Sequence, residues 1–404
     1  MAADFRLPLL ALCVAAFLFL LLSLLAPVPY FEAVTIGTHA RNFADLSARF
    51  EGLAEKRGAV YAFEVLKRAL LPPQTDLHLL GHVVGDGLYR QKGIGGIADC
   101  TQDFRNACSH AIVIGALNEF GDGSSTISKI QQACHKAPGG VGAYTMCMHG
   151  LGHGVFAYYG YDLKKTVDFC YRAGDPAYGA NDSAQCVGGA IMELVGGGGH
   201  DHDKWLAAQP EYFDPADPLS PCMSTLIPES AKGMCLDYLT PRLFQAAGAD
   251  LAEPEPAFFP NAFAYCDAIP KAKQHLRNSC FGGFGKEFIP LVGARDIRAV
   301  DHFSDDEYRL TATWCMLSEA GDGKDACITQ ALATVFWGGE NDAFASLRFC
   351  SDTPIPLSRA CYQELARNIR VYFDGSKRVQ WCQKLPQEFQ DGCTTDAPTS
   401  KTEL

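Results

Sequence analysis

Six of the eleven histidines of this chain lie between residues 78 and 153, and four of these six form two pairs with the spacing His-x-x-x-His. The pairs are His78 with His82 and His149 with His153. Because an α-helix turns once in 3.6 residues, each pair places two imidazoles one turn apart on one helix face. Two such imidazoles can share a metal ion, as they do in zincin proteases. The glutamate that follows the first histidine in zincins is replaced by Leu79 and Gly150, so the spacing predicts a metal site and not a zincin.

A fifth histidine could join the second pair through a sequence repeat. His110 stands two residues after Cys108, and His149 stands two residues after Cys147. These are equivalent positions in neighbouring repeats. If the two helices pack about 8–10 Å apart, His110 comes close to His149 and His153. The sequence thus predicts one ion at His149 and His153, joined either by His110 or by the first pair, which lies on an earlier helix without a cysteine and would add ligands from the preceding layer.

Two carboxylates are the predicted oxygen ligands. Glu193 lies in an apolar segment, where a carboxylate is seldom buried without a partner. Asp76 precedes His78 by two residues and could bind the ion or orient an imidazole. Imidazole with carboxylate suits zinc, copper or iron. Non-covalent haem between two histidines is a further interpretation, while c-type attachment is excluded because Cys-x-x-Cys-His does not occur.

Sixteen of the seventeen cysteines form eight short-range pairs in a regular repeat. After seven of the second cysteines, the chain runs twelve or thirteen residues to a glycine or aspartate. Intervals between first cysteines of 32 to 52 residues match one helical hairpin of a solenoid. We therefore predict eight local disulfides. They join Cys100 to Cys108, Cys134 to Cys147, Cys170 to Cys186, Cys222 to Cys235, Cys266 to Cys280, Cys315 to Cys327, Cys350 to Cys361 and Cys382 to Cys393.

Each repeat is predicted to hold two helices. The first, the A helix, ends near the first cysteine and is capped by a residue such as Asp162 or Asn341. The second, the B helix, is expected to open at the second cysteine and to end at a glycine in a left-handed cap. Early glycines in B helices, as in Cys186-Val-Gly-Gly-Ala, predict close approach of another backbone. The fold class is therefore all-α, a disulfide-stapled array of helical hairpins resembling an α-solenoid.

The N-terminal part contains a predicted membrane anchor. Residues 8–27 are uncharged and long enough to cross a bilayer as one helix, which favours an anchor over a cleaved signal peptide. The predicted organisation is a short tail (1–7), the anchor (8–27), a helical linker (28–76) and the repeat domain (77–404). Within the linker, helices are expected from Ala40 to about Lys56 and from Ala59 to Leu70.

The cysteines also predict the compartment. Paired cysteines without Cys-x-x-Cys spacing are typical of disulfides, so we expect the repeat domain in the periplasm or outside the cell. The alternative is the ER lumen, because the terminal Lys-Thr-Glu-Leu404 is a loose variant of a retrieval signal. The net charge of −12, without a cluster of lysine and arginine, argues against nucleic acid as a partner.

The blocks around the histidines resemble those of a group of extracytoplasmic helical proteins rich in cysteine and histidine. The shared features are a His-x-x-x-His after two helices, a block like Cys147-Met-His-Gly-Leu-Gly-His153 and a block like Cys186-Val-Gly-Gly-Ala-Ile-Met-Glu193. The resemblance covers roughly residues 50 to 200. Two departures are Leu77, where a cysteine is expected, and the absence of a glycine after His110. No activity follows from this resemblance.

Three functions are compatible with these patterns. The first is a membrane-anchored metal-binding protein, catalytic or not, whose N-terminal repeats hold one or two transition-metal ions. The second is a non-catalytic scaffold that binds a protein on the solenoid surface. The third is an accessory subunit of a membrane complex.

Overall fold

The computed structural model describes residues 30–72, 75–101, 103–138, 140–175, 181–197, 202–251, 255–293, 296, 302–338, 343–373 and 375–394. Regular structure in these ranges is helical, as predicted, apart from one isolated bridge between Asp214 and Asp217. The predicted anchor, residues 8–27, lies outside the described residues. Within them, no helix combines the length and the apolar character that a membrane crossing requires.

The helices follow one another along the chain with short connections. They are α1 (Tyr30–Thr35), α2 (Phe43–Arg57), α3 (Ala59–Leu66), α4 (Leu77–Lys92), α5 (Ala107–Phe120), α6 (Ser124–Cys134), α7 (Gly140–Tyr158), α8 (Leu163–Ala173), α9 (Asn181–Gly196), α10 (His202–Tyr212), α11 (Glu229–Ala246), α12 (Phe259–Asp267), α13 (Gln274–Val292), α14 (Asp305–Cys315), α15 (Gly321–Gly338), α16 (Ala343–Asp352), α17 (Ile355–Tyr372), α18 (Gly375–Cys382) and α19 (Gln387–Thr394). Short 3₁₀ turns, including Gly93–Asp99 and Asp103–Asn106, join some of them. The two linker helices, α2 and α3, are shorter than predicted.

The second cysteines lie on the B helices α5, α7, α9, α11, α13, α15, α17 and α19. Each B helix packs against the next, and α4 packs on α5 as the first layer of the stack. The A helices α6, α8, α12, α14, α16 and α18 pack beside this stack. A continuous core between neighbouring repeats results, as the repeat period predicts.

The eight predicted disulfide pairs are the eight pairs found at bonding distance. Their Cα atoms lie 5.4 to 5.6 Å apart, within the ordinary range for a disulfide. The prediction that each second cysteine opens its helix is wrong in most repeats. Helix α11, for example, begins at Glu229, six residues before Cys235. Pro228 precedes this helix, and Glu229 favours the positive end of the helix dipole.

The helix ends follow the predicted pattern in part. Asp162 caps α8 by accepting a hydrogen bond from the Lys165 amide (3.0 Å), whereas Asn341 lies outside the described residues. Gly121, Gly160 and Gly248 have φ of 72°, 63° and 86°, in the left-handed region that favours glycine. Gly293 is different: its φ is −81°, outside the left-handed region, and its carbonyl oxygen accepts a hydrogen bond from the Asp296 amide.

Glycines set the distance between neighbouring B helices. A Cβ atom on Gly152 of α7 would lie 1.8 Å from the Cys186 carbonyl oxygen, and one on Gly189 of α9 would lie 1.9 Å from the His149 carbonyl oxygen. Only a residue without a side chain fits at these two positions. The close approach predicted from the early glycines is therefore present between α7 and α9.

The array curves back toward its own beginning. The turn Asp103–Asn106, near the start of the stack, contacts both α7 and α15. This curvature places α4 opposite α13, and the cleft between them has a volume of about 900 Å³. Helices distant in sequence therefore share one cleft.

Candidate metal centre

Five histidines of the N-terminal repeats form one cluster on three consecutive helices of the stack. Helix α4 contributes His78 and His82, α5 contributes His110, and α7 contributes His149 and His153. Ring centroids of contacting histidines are 4.7 to 6.4 Å apart. His78 is partly exposed, whereas the other four are buried. The two pairs and the equivalent repeat position thus meet as the sequence predicts.

Three of these imidazoles have nitrogens close enough to face one ion. A ligand nitrogen from each of His78, His82 and His110 lies within 4.8 Å of the other two, and among the residues that the structure describes these three form the one such group. The Nε2 atoms of His78 and His82 are 3.2 Å apart. Two ligands at about 2.1 Å from a tetrahedral ion would lie about 3.4 Å apart. The first pair is therefore already spaced for a shared ion, and His110 offers the third nitrogen of the group.

The backbone of Phe104 holds one imidazole of this group in place. Nδ1 of His78 donates a hydrogen bond to the Phe104 carbonyl oxygen (2.7 Å). Because a carbonyl only accepts, the neutral ring carries its proton on Nδ1 and presents a bare Nε2. Phe104 has φ of 56°, uncommon for a bulky residue, and its ring packs edge-to-face on Phe63. Nothing in the sequence around Phe104 indicates this role.

The second pair has a similar outer partner. Nδ1 of His153 donates to Oε2 of Glu193 (3.1 Å), and the Nε2 atoms of His153 and His149 are 3.3 Å apart. Glu193 is buried, with 3% of its surface exposed. Its carboxylate contacts the side of the imidazole opposite to His149, the usual position of a carboxylate that orients a metal-binding histidine. This geometry favours the role of imidazole partner over that of direct ligand.

His110 occupies the middle of the cluster. Its ring is stacked on that of His153, with centroids 4.9 Å apart and planes 19° from parallel. It is fully buried, and neither ring nitrogen has a hydrogen-bond partner within the described part of the chain. A buried polar group without a partner costs about 1–3 kcal/mol, which a metal bond would offset. A Cβ on Gly150 would lie 2.0 Å from Cδ2 of His110, so glycine there makes room for the ring.

Asp76, the other predicted oxygen ligand, has a different observed role. It caps the N-terminus of α4, where its Oδ1 accepts a hydrogen bond from the Leu79 amide (2.9 Å). The carboxylate is therefore engaged with the backbone of the helix that carries His78 and His82. Asp76 still lines the cleft, but its capping bond fixes the start of the helix.

Burial keeps the central imidazoles in the neutral form. It lowers the pKa of His110 well below the ordinary value, and the imidazole of His153 adds to the effect. The pKa of His149 is lowered in the same way, first by burial, then by His153 and by the Lys286 ammonium group. Neutral imidazole is the form that binds metal. The site is thus prepared for a cation at neutral pH without prior loss of a proton from these two rings.

The cluster forms part of the wall of the 900 Å³ cleft. His78, His82 and His153 line it from one side. Lys286 and Tyr238 line the other side: Nζ of Lys286 lies 3.8 Å from the centre of the Tyr238 ring, which contacts the ring of His149 at 4.6 Å. Neither Lys286 nor Tyr238 is among the residues that the sequence predicts for this site.

The position of Lys286 within its repeat could have predicted its place in the cleft. Lys286 is six residues after Cys280, and His153 is six residues after Cys147. The two side chains therefore occupy equivalent positions on their B helices. Lys286 also pairs with Glu287 across 3.1 Å, so the positive charge in this wall is balanced.

No model of a protein family, no curated protein and no solved structure matches the chain.

Proposed function

We propose that this chain is a membrane-anchored, extracytoplasmic metalloprotein that binds a transition-metal ion through His78, His82 and His110. The observation that carries the proposal is the convergence of three ligand nitrogens within 4.8 Å, one of them on a buried ring without another partner. Zinc, copper and iron all accept three imidazoles. A hydrogen-bonded packing cluster would explain the two pairs, but it does not explain why His110 is buried without a partner.

The same geometry favours an accessible ion over a closed structural site. Three protein ligands leave one position of a tetrahedral ion unfilled, as in catalytic zinc centres. Since His78 and His82 line the cleft, this position would be reached from the cleft. A zinc ion there would act as a Lewis acid, whereas copper or iron would support redox chemistry. Phe104 and Glu193 would hold the ring orientations of His78 and His153 through their Nδ1 atoms.

Anchor and compartment belong to the same proposal. Residues 8–27 would hold the chain in the membrane, and the eight disulfides fit a repeat domain in the periplasm or outside the cell. In such a compartment cysteines are already oxidised. Histidine then becomes the available strong ligand for a transition metal, which agrees with the composition of the cluster.

The test is the metal content of the full-length chain. We expect the protein, purified in detergent without chelator and offered zinc, copper and iron separately, to retain stoichiometric metal by elemental analysis. The variant H78A/H82A/H110A should lose the ion bound at this site. The matched control is H202A/H275A, which removes two exposed histidines outside the cluster and should leave the metal content unchanged.

The state of the disulfides separates loss of ligands from loss of fold. Peptide mapping without reduction should give the same eight bridges in the wild type and both variants. If the wild-type protein retains none of the three metals, the five histidines are packing residues and the proposal fails.

The alternative function is a protein-binding scaffold. It is favoured by a second groove of about 620 Å³ on α11, α13, α15 and α17, away from the histidines, lined by polar side chains such as Asn278, Gln330 and Gln363. A chain that folds with all its bridges but binds no metal would make this the preferred function.

A further inference from the structure

We infer that the cluster is a two-ion centre, with a second metal ion bound between His149 and His153. This inference rests on the proposed function, because it adds a second ion to the one at His78, His82 and His110. Its basis is that the second pair repeats the geometry of the first pair while lying outside the reach of the first ion.

The two pairs correspond in three respects. Each lies one turn apart on a helix of the stack, and the Nε2 atoms are 3.2 Å apart in the first pair and 3.3 Å apart in the second. Each pair includes one ring whose Nδ1 donates to an oxygen outside the imidazole cluster, the Phe104 carbonyl for His78 and the Glu193 carboxylate for His153. That bond leaves Nε2 bare and pointed at its partner.

One ion cannot use both pairs. Ligands on opposite sides of one ion are at most about 4.2 Å apart, twice the metal–nitrogen distance. His149 and His153 are not part of the group of described residues whose ligand nitrogens all lie within 4.8 Å of one another. An ion at the first three histidines therefore leaves the second pair unused, and the second pair has room for its own ion.

The local charges suit a second cation. Glu193 places a buried carboxylate behind His153, and a divalent ion on the opposite nitrogen of that ring would balance it. The ammonium group of Lys286, the cation near His149, is paired with Glu287. Because His153 lines the cleft, the remaining positions of the second ion would face the same cleft as the first. Adjacent ions in one cleft are the arrangement used for two-metal hydrolysis.

The experiment counts zinc ions in the full-length chain in detergent. After titration with Zn²⁺ and gel filtration, we expect two equivalents per wild-type chain and one equivalent in H149Q/H153Q. Glutamine preserves most of the side-chain volume and polarity, which protects the fold. The exposed-histidine variant H202A/H275A should retain two equivalents.

A second variant tests the outer partner of His153. E193Q removes the charge while keeping the shape, so the weaker of the two binding constants should fall by about 10–100-fold and the other should stay constant. One equivalent of zinc in the wild type, or unchanged constants in E193Q, would overturn the second ion. One equivalent in the wild type would still leave the proposed function standing, whereas no bound zinc would count against both.

Discussion

At the scale of single residues, Asp237 of α11 shows what burial does to a charge in this protein. Its carboxylate is buried beside Lys286 and Glu287, outside the histidine cluster. Burial raises the pKa of Asp237 to about 6, Lys286 opposes this shift, and Glu287 adds to it. Between pH 3.8 and about pH 6 the Asp237 carboxyl group is therefore mainly protonated in the folded protein and mainly ionised in the unfolded chain. The stability contributed by this group is complete below about pH 4 and falls as the pH rises through about 6.

The Asp237→Asn variant should remove this dependence. Asparagine resembles the protonated acid, so the variant should have a free energy of unfolding about 2 kcal/mol higher than wild type at pH 7. The difference should vanish near pH 4. Urea denaturation at both pH values, with the bridges intact, measures it.

Asp168→Asn is the control for the loss of a carboxylate as such. Asp168 forms an exposed pair with Lys164, and such pairs contribute little to stability because water screens the two charges. The Asp168→Asn substitution should change the free energy of unfolding only slightly at both pH values. A wild-type stability that rises relative to D237N between pH 4 and pH 7 would show that the pKa is shifted in the opposite direction.

At the scale of helices, the glycines of the B helices matter more for packing than for flexibility. Gly152 and Gly189 face each other's helix across the α7–α9 contact, each against a backbone carbonyl. A carbonyl oxygen cannot rotate away as a side chain can. The two helices therefore have one distance at which they fit, and His149 and His153 of α7 are positioned by it relative to Glu193 of α9.

Gly189→Ala should force α7 and α9 apart. We expect a loss of about 1–3 kcal/mol in the free energy of unfolding from overpacking, together with weaker metal binding at the second pair. Unfolding in urea and Zn²⁺ titration measure the two effects.

The matched helix-interior control is Gly52→Ala in α2. A Cβ there meets nothing within 4 Å, so alanine should stabilise by about 0.5–1 kcal/mol through its higher helix propensity. Equal effects at positions 189 and 52 would mean that the α7–α9 distance does not depend on the absence of a Cβ.

At the scale of the whole molecule, eight bridges fasten each hairpin locally and leave the curvature of the array to helix packing. The bridged cysteines are 8 to 16 residues apart in sequence. Each closed loop of this size contributes about 3 kcal/mol in the chain-entropy model. Because none of these eight bridges links distant repeats, the cleft between α4 and α13 depends on the stacking of all helices between them.

Such a molecule should be folded only where thiols are oxidised. We expect a phosphatase reporter that requires an oxidising compartment to be active when fused after Leu404. Peptide mapping without reduction should recover the eight local pairs. In the cytosol the glutathione pool would keep these cysteines reduced, so the pairs would not form there. Activity of a cytosol-specific reporter at the same position would contradict both the orientation and the compartment.

The sequence by itself determined the parts of this protein that repeat. Cysteine spacing predicted the eight bridges and the hairpins, since a disulfide of 8 to 16 residues is a local constraint. The His-x-x-x-His spacing placed each pair on one helix face, because helix periodicity is also local. The equivalence of His110 and His149 followed from the repeat register.

Only the tertiary structure decided which residues of distant repeats lie close together in the curved array. Phe104 orients His78 through a backbone carbonyl, and no residue type signals the direction of a carbonyl. Asp76, which the sequence predicts as a metal ligand or as a partner of an imidazole, lines the cleft and caps α4 through the Leu79 amide. Lys286 and Tyr238 join the cleft because the stack of α4, α5, α7, α9, α11 and α13 brings the chain back toward its start. Small angles between neighbours set that curvature, and they depend on packing contacts that no short stretch of sequence contains.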